Sequence, residues 1–276
     1  MHEIAIQVDA VTKIYSGRTI LDAIKLDVHQ GETLVILGGS GSGKSTLLRL
    51  MIGNVRPDGG DVIGFGKSLG NMTSREMDDY RRSIGVLFQS GALFNSMTVA
   101  DNVALPLREH TDLAEQTIDI MVKIKLELVG LREHADKMPS ELSGGMKKRA
   151  GLARAIALDP KILFYDEPSA GLDPVTSAEI DELIIDLNRK LGVTSVVVTH
   201  EMDSAFRIAD RMVMLDRGRV LKIGARSEFE TIRDAETSSL SSNDERLIHQ
   251  FLNGNTQGPL TDADGMSEYE KLIIEG

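Results

Sequence analysis

From Ile4 to Val28 apolar and polar residues alternate, the period of short strands with one buried face. Thr33–Leu37 is a compact apolar run and predicts a further strand. It leads through the glycine-rich segment Gly38–Gly43 into Lys44–Ile52, which reads as a helix stopped by Gly53. Arg56–Phe65, with Pro57, Gly59 and Gly60, reads as a turn into another strand. Thr73 and Glu76 have the spacing of a capping box for a helix through Arg82. From about residue 91 to 159 the pattern turns helical. Asp112 and Glu115 resemble a helix start, with Ile118, Met121, Ile124 and Leu128 as its apolar stripe, and Ser143 starts another helix towards Leu158.

Strand-like segments return at Lys161–Tyr165, Thr194–Thr199 and Met212–Leu215. Between the first two, Asp173 reads as an N-cap and Pro174 as the first residue of a helix. Ile180, Leu183, Ile184, Leu187 and Leu191 form its apolar face, and Gly192 ends it. Strands alternating with helices imply an α/β fold, a parallel sheet covered by helices, with the middle helical block as an insertion. Beyond about Gly224 the periodicity weakens.

Composition narrows the function classes. A chain of 276 residues with 41% hydrophobic content can hold one domain with an inserted lobe and a tail. Without cysteine there is neither a disulfide framework nor a thiolate metal site. Residues 1–20 lack the basic start and apolar stretch of a secretory signal. No apolar run approaches the roughly 20 residues of a membrane helix, so a membrane would be reached through a partner. The net charge of −11 argues against nucleic acid as a partner. Most of the acidic excess lies in residues 225–276, where eleven Asp and Glu face four Lys and Arg.

The chemistry begins with GGSGSGKST, Gly38 to Thr46, which fits the phosphate-loop pattern G-x-x-x-x-G-K-[ST] at every fixed position. Gly38, Gly39, Ser40, Gly41, Ser42 and Gly43 let the backbone fold around phosphate oxygens with its N–H groups pointing inward. The helix that follows brings its positive end to the same place. Lys44 is expected to bridge the β- and γ-phosphates of ATP, and Ser45 to offer its hydroxyl to Mg²⁺, with Thr46 closing the motif. The second half of the site is ILFYDE, Ile162–Glu167: a buried strand with two carboxylates at its C-terminal end, where open α/β sheets hold ligands. Asp166 is expected to hold Mg²⁺, and Glu167 to polarise the attacking water.

Twenty-odd residues before Asp166 stands LSGGM, Leu142–Met146. Placed there, it resembles the signature of the ABC-transporter ATPases, and the likeness extends over about residues 4–224. The resemblance implies a phosphate-loop NTPase with a RecA-like parallel-sheet core, an N-terminal antiparallel β subdomain and an inserted helical subdomain at about 91–159. The ATPase domain would then be residues 1–224 and the acidic C-terminal extension residues 225–276. It also implies roles for single residues. Tyr15 would stack on adenine. Gln89, after the strand Ile84–Phe88, would reach Mg²⁺ and the water. Asp173 closes SAGLD, which resembles the D-loop, and His200 resembles the switch histidine that contacts the γ-phosphate. In this family two subunits pair head to tail, so Ser143, Gly144 and Gly145 of one copy would face the γ-phosphate held by the other. Many ABC subunits have glutamine where this chain has Met146. The basic triplet after it, Lys147, Lys148 and Arg149, reads as a solvated helix face.

Two longer stretches, Phe88–Leu107 and Ser140–Pro174, resemble the ATPases of bacterial lipid-trafficking systems with MCE-domain partners, the Mla type. That likeness implies phospholipid exchange between inner and outer membranes, or uptake of related lipids and solvents, and a place on the cytoplasmic face of the inner membrane. The implied partners are a transmembrane permease, an MCE-domain protein and a small STAS-domain protein. Leu93, Phe94 and Met97 are candidates for the permease surface. RLIHQFLNG, Arg246–Gly254, resembles the C-terminal extension of the same group. Its apolar cluster, Leu247, Ile248, Phe251 and Leu252, is expected to be buried on a neighbouring chain. The alternatives are an importer ATPase for amino acids or metal ions, which shares every catalytic motif, and a soluble ABC ATPase outside transport.

Overall fold

Two sheets organise the described residues, 3–256 and 258–262, of this computed structural model. In the first, β1 (Ile4–Tyr15) and β2 (Arg18–His29) form a hairpin. Its two turn residues, Ser16 and Gly17, both have positive φ, which suits the right-handed twist of the strands they join. The second sheet begins with β3 (Thr33–Leu37). After it, β4 (Gly59–Gly64) and the short β5 (Lys67–Ser68) return to the first sheet, which is antiparallel in the order β2-β1-β4-β5.

The remaining strands, β6 (Ile84–Leu87), β7 (Ile162–Asp166), β8 (Thr194–Val198), β9 (Arg211–Asp216) and β10 (Arg219–Ala225), join β3 in the order β10-β9-β3-β8-β7-β6. Only β10 runs antiparallel to its neighbour. Helices cover this sheet. α1 (Lys44–Met51) leaves β3 through the glycine-rich loop, and α2 (Ser74–Arg82) precedes β6. A helical block of α3 (Val99–His110), α4 (Glu115–Leu128) and α5 (Gly144–Ala155) stands between β6 and β7. α6 (Pro174–Leu191) and α7 (Met202–Ile208) flank β8. The chain continues into α8 (Arg226–Asp234), α9 (Asn243–Asn253) and the short α10 (Pro259–Asp262). Among the described residues no helix is long and apolar enough to cross a membrane.

The central strands are buried on both faces, which explains their unbroken apolar runs. Successive residues feed opposite cores. Val35, Leu163, Tyr165 and Val197 pack with the helical block and α6. Leu34, Ile36, Phe164 and Val198 pack with α1 and the antiparallel sheet. The helix ends are set by local chemistry. Thr73 and Glu76 bond each other's main-chain N–H in the capping box that their spacing predicts. Asp173 caps α6 by accepting from the N–H groups of Val175 and Thr176, and Gly192 ends it in the left-handed conformation at φ 64°.

Two expectations fail. The buried side of α4 is Ile118, Val122, Lys125 and Leu126, so Ile124 points outward and is 53% exposed. Apolar residues at Ile118, Ile120, Met121 and Ile124 offer a rival stripe, and a contact between buried Lys125 and exposed Asp159 goes with the rotation actually adopted. The N-cap of α4 is Ala114, without a side-chain bond, rather than Asp112. The second failure is the apolar cluster of α9. Leu247, Ile248 and Leu252 are buried within this chain, and Phe229, Ile232 and Leu240 join the same core ahead of them. The cluster is covered by its own fold rather than by a neighbour, with Phe251 half-buried at its edge. The weakening of the pattern beyond Gly224 therefore hides two packed helices, because each is short and mostly polar.

Phe229 has no exposed surface. Phe229→Ala is expected to lower the stability of the whole chain by about 3–5 kcal/mol, the range for emptying a buried phenylalanine site. Urea unfolding followed by circular dichroism checks this; an unchanged midpoint would mean that α8 is not part of the cooperative core.

Candidate active site

The phosphate loop hangs between the end of β3 and the first turn of α1. Gly43 sits at φ 105°, and a Cβ there would meet Leu21 Cδ2 at 2.5 Å. The loop thus needs glycine both for its conformation and for the space beneath it. Lys44 is buried, and its Nζ donates to the main-chain carbonyls of Gly38 at 2.6 Å and Gly39 at 2.9 Å. Burial pushes the Lys44 ammonium below its ordinary pKa, against the opposing pull of Glu167 and Asp166. Ser42 Oγ is buried without a hydrogen-bond partner among the described residues.

Parallel β7 and β8 bring the second half of the site alongside. Asp166 ends β7 opposite Val198. Burial raises the Asp166 pKa, and the Glu167 carboxylate beside it adds to the rise, while Arg49, Lys148 and Lys44 oppose it. Glu167 stands at φ 51°, a left-handed conformation rare outside glycine and typical of constrained sites. Its N–H donates to the Val198 carbonyl at 2.9 Å. Its carboxylate lies 2.8 Å from His200 Nδ1 and also accepts from the His200 N–H at 3.3 Å. The candidate base and the candidate switch residue therefore touch.

Two adjoining cavities share the loop. One, of about 920 Å³, gathers Gly39, Ser40, Gly41, Lys44 and Ser45 with Gln89, Asp166, Glu167 and His200. The other, of about 820 Å³, runs along Gly39 to Thr46, so that Ser42, Gly43 and Thr46 join it there, and onto Arg18 to Ile20. Other expected residues stand apart. Tyr15 lines neither cavity; it is 40% exposed at the hairpin end, with Lys13 Nζ 5.1 Å from its ring centroid. Ser143, Gly144, Gly145 and Asp173 also line neither cavity. Ser143 caps α5 by accepting from the Met146 N–H at 3.3 Å. Ser143 and Gly144 are exposed, whereas Gly145 is buried so close to α6 that a Cβ would meet Thr176 Cγ2 at 2.5 Å.

The structure adds residues that the pattern did not single out. Arg49 lines the larger cavity near Asp166. Phe251 lines both cavities, Asn253 and Gly254 the larger and Leu260 the smaller, so α9 and α10 wall the space beside the glycine-rich loop. The reading of Lys148 as solvated is wrong. Lys148 is 5% exposed, and its Nζ donates to the Glu167 carbonyl at 2.9 Å. Arg149 is half-buried as well, bonded to the Val129 carbonyl and to Glu179. No sequence signal marks a main-chain acceptor that only the fold brings close.

A glycine-rich loop running into a helix, with a buried lysine facing two carboxylates across parallel strands, defines a P-loop nucleoside triphosphatase. Residues 21–170 match the family described as ABC transporter, and the chain belongs to that family. It is 41% identical, over the whole of both chains, to "Intermembrane phospholipid transport system ATP-binding protein MlaF" of Haemophilus influenzae. The Escherichia coli K12 protein of the same name is 42% identical over 94% of this chain and 93% of its own. "Probable ribonucleotide transport ATP-binding protein mkl" of Mycobacterium leprae is 43% identical over 96% of this chain and 72% of its own. Among solved structures, an ATP-binding cassette seen as a dimer in a post-hydrolysis state with ADP and Pi is 31% identical. It covers 80% of this chain and 98% of that chain, with a TM-score of 0.74. The cbiO1 protein of Clostridium perfringens, part of the ABC transporter complex cbiONQ, is also 31% identical; it covers 86% of this chain and 96% of that chain, with a TM-score of 0.78. The chain is an ABC-family ATPase, with ATP as its nucleotide.

Gly43→Ala is expected to weaken ATP binding by about tenfold, since a residue with a Cβ costs roughly 1–2 kcal/mol in a left-handed conformation. Isothermal titration calorimetry checks the affinity and circular dichroism the fold. Unchanged affinity would show that the loop does not need its φ of 105° to hold phosphate.

Proposed function

We propose that two copies of this chain, head to tail on the cytoplasmic face of a bacterial inner-membrane permease, hydrolyse ATP to drive phospholipid traffic between the inner and outer membranes. An MCE-domain protein would be the lipid-handling partner, and a small STAS-domain protein a further one. The observation that carries the lipid reading is the 41% identity to MlaF along the full length of both chains, C-terminal helices included. Exposed Phe88 and Phe94, beside half-buried Leu93 and Met97, support a permease contact at the segment after Gln89.

The incomplete site supports the pairing. The loop, Lys44, Gln89, Asp166, Glu167 and His200 share one cavity, but the signature residues lie outside it. In a head-to-tail pair Ser143, Gly144 and Gly145 of the partner copy would close over the γ-phosphate with the N-terminus of α5, an anion-favouring end. Dimeric relatives of the same fold support this arrangement. Asp173, which caps the next helix, would lie at the same seam, and Tyr15 would offer its exposed ring to the adenine.

The donor set fits Mg²⁺. Ser45, Gln89 and Asp166 offer oxygen ligands around one cavity. Among the described residues no group of three or more His, Cys, Asp and Glu could cage a metal alone. That suits an ion held by few protein ligands together with substrate phosphates. When bound, Mg²⁺ would neutralise charge developing on the phosphate oxygens. Lys44 would leave the Gly38 and Gly39 carbonyls for the β- and γ-phosphates. Glu167 would exchange His200 for the attacking water and accept its proton, and His200 would turn to the γ-phosphate.

Glu167→Gln should retain ATP binding while turnover falls by about 10²–10⁴-fold, the usual worth of a general base, and should accumulate an ATP-bound dimer. Phosphate release and size-exclusion chromatography with ATP check this; near-normal turnover would remove Glu167 from the role.

Lys44→Ala should instead weaken ATP binding by one to two orders of magnitude, since a charged hydrogen bond contributes roughly 1.5–3 kcal/mol. A fluorescent-ATP titration reads it directly. For the transported substrate, the assembled complex in proteoliposomes should move a labelled phospholipid to acceptor vesicles only with ATP. Stimulation by an amino acid, a metal ion or a ribonucleotide, with no lipid transfer, would replace the lipid reading.

A further inference from the structure

Lys148 lies on α5, the helix that Ser143 caps, about 7.5 Å along the axis from it at 1.5 Å per residue. It is 5% exposed, and its ammonium points away from the helix to the Glu167 carbonyl, 2.9 Å away. Glu167 is the carboxylate beside His200 and also the residue held at φ 51°. A non-glycine residue keeps such a conformation only where its surroundings over-determine it. Three main-chain contacts do so here. The Glu167 N–H is tied to Val198, and its carbonyl accepts from the Ala170 N–H at 3.3 Å as well as from Lys148. Two of these belong to the sheet and the loop itself. Lys148 supplies the third from a different element.

That element is firmly seated. Gly145 is in close packing with Thr176, Gly144 would bring a Cβ to 3.2 Å from Leu172, and Gly151 lies against the Gly91 carbonyl. α5 therefore has little room to flex between Ser143 and Lys148, and a shift of its N-terminus is carried along the helix. In a head-to-tail dimer, Ser143 would meet the phosphate bound by the other copy, whereas Lys148 holds the Glu167 main chain of its own copy. The two ends of one rigid turn-and-a-half serve different ATP sites.

We propose that Lys148 is a positioning residue for Glu167, and that through α5 it links phosphate binding at one composite ATP site to the carboxylate base of the other. The inference rests on the head-to-tail reading above. It assigns the basic residue after the signature a use beyond packing: the main chain of the base is held by the helix that reads the opposite phosphate.

The test uses the full chain assembled with its permease in nanodiscs and titrated with MgATP. Lys148→Met should lower kcat by about 10–100-fold, since misplacing a reacting group by about 1 Å can cost 10²-fold. A fluorescent-ATP titration should show affinity within about threefold of the parent, because the lost interaction acts on the base and not on ATP binding. The Hill coefficient should exceed 1 in the parent and fall to about 1 in Lys148→Met as the coupling between sites disappears; a parent value of about 1 would overturn the link between sites. Lys148→Arg, which keeps a charged donor for the carbonyl, should restore both kcat and cooperativity.

Parent-like kcat and cooperativity in Lys148→Met would overturn the proposal. So would a loss that Lys148→Arg does not repair, or one matched by lost ATP affinity and a lowered melting temperature. A fall in kcat with cooperativity intact would overturn the link between sites. If Lys148→Met does not assemble, Lys148→Gln takes its place with the same criteria. Ser143→Arg keeps the underlying reading separate. A fully active Ser143→Arg complex would sink the head-to-tail site itself, whereas an inactive one beside a parent-like Lys148→Met would sink only the role of Lys148.

Discussion

The site exists because β3, β8 and β7 run parallel and in register. Ile36 opposes Val198, and Val198 opposes Asp166. The residues just beyond these rungs are the phosphate loop, His200 and Glu167. Main-chain bonds extend the ladder past the strand ends, from Thr199 N–H to the Ile36 carbonyl and from Glu167 N–H to the Val198 carbonyl. Because side chains alternate faces, a slip of one residue would turn Tyr165 and Phe164 into the wrong cores. Both cores thus defend the same register, and the register delivers three separate segments to one edge. The geometry of the candidate site is a consequence of sheet packing rather than of any local stiffness in the loops.

Within that frame the charged groups at the site have partners inside the chain. Lys44 rests on two loop carbonyls, Lys148 on the Glu167 carbonyl, and Glu167 on His200. Burying any of these unpaired would be costly, and each contact limits that cost. The same logic explains why Asp166 and Glu167 can sit side by side. Lys44, Lys148 and Arg49 oppose the rise in the Asp166 pKa that burial and its neighbour impose.

What could be read from the sequence was what local chemistry decides. The phosphate loop, the paired carboxylates at a strand end, the Thr73–Glu76 box and the Asp173 cap each depend on residues within a few positions of one another. The parallel sheet followed from the alternation of strands and helices. Legibility failed where long-range geometry decides. The α4 sequence carries two overlapping apolar stripes, and only packing chose Val122 and Leu126 over Ile124. Lys148 looked like surface because its partner is a carbonyl nineteen positions later in the chain, invisible as a side-chain pattern. Tyr15 and Ser143 were located correctly on their elements, yet neither borders the cavity of its own chain.

The C-terminal helices bear on how the ATPase core should be delimited. Ending the chain after Gly224 would leave every phosphate-loop and carboxylate residue in place. It would also remove Phe229, Ile232, Ile248 and Leu252 from a core that contains Met212 and Met214 of β9. β9 pairs directly with β3, the strand from which the phosphate loop starts. The same cut would take away Phe251, which borders both cavities beside the phosphate loop. The tail therefore acts on the site twice, by supporting the strand beneath the loop and by walling the space above it. A segment that supplies none of the loop, carboxylate or histidine groups gathered at the site can still decide whether the site is formed.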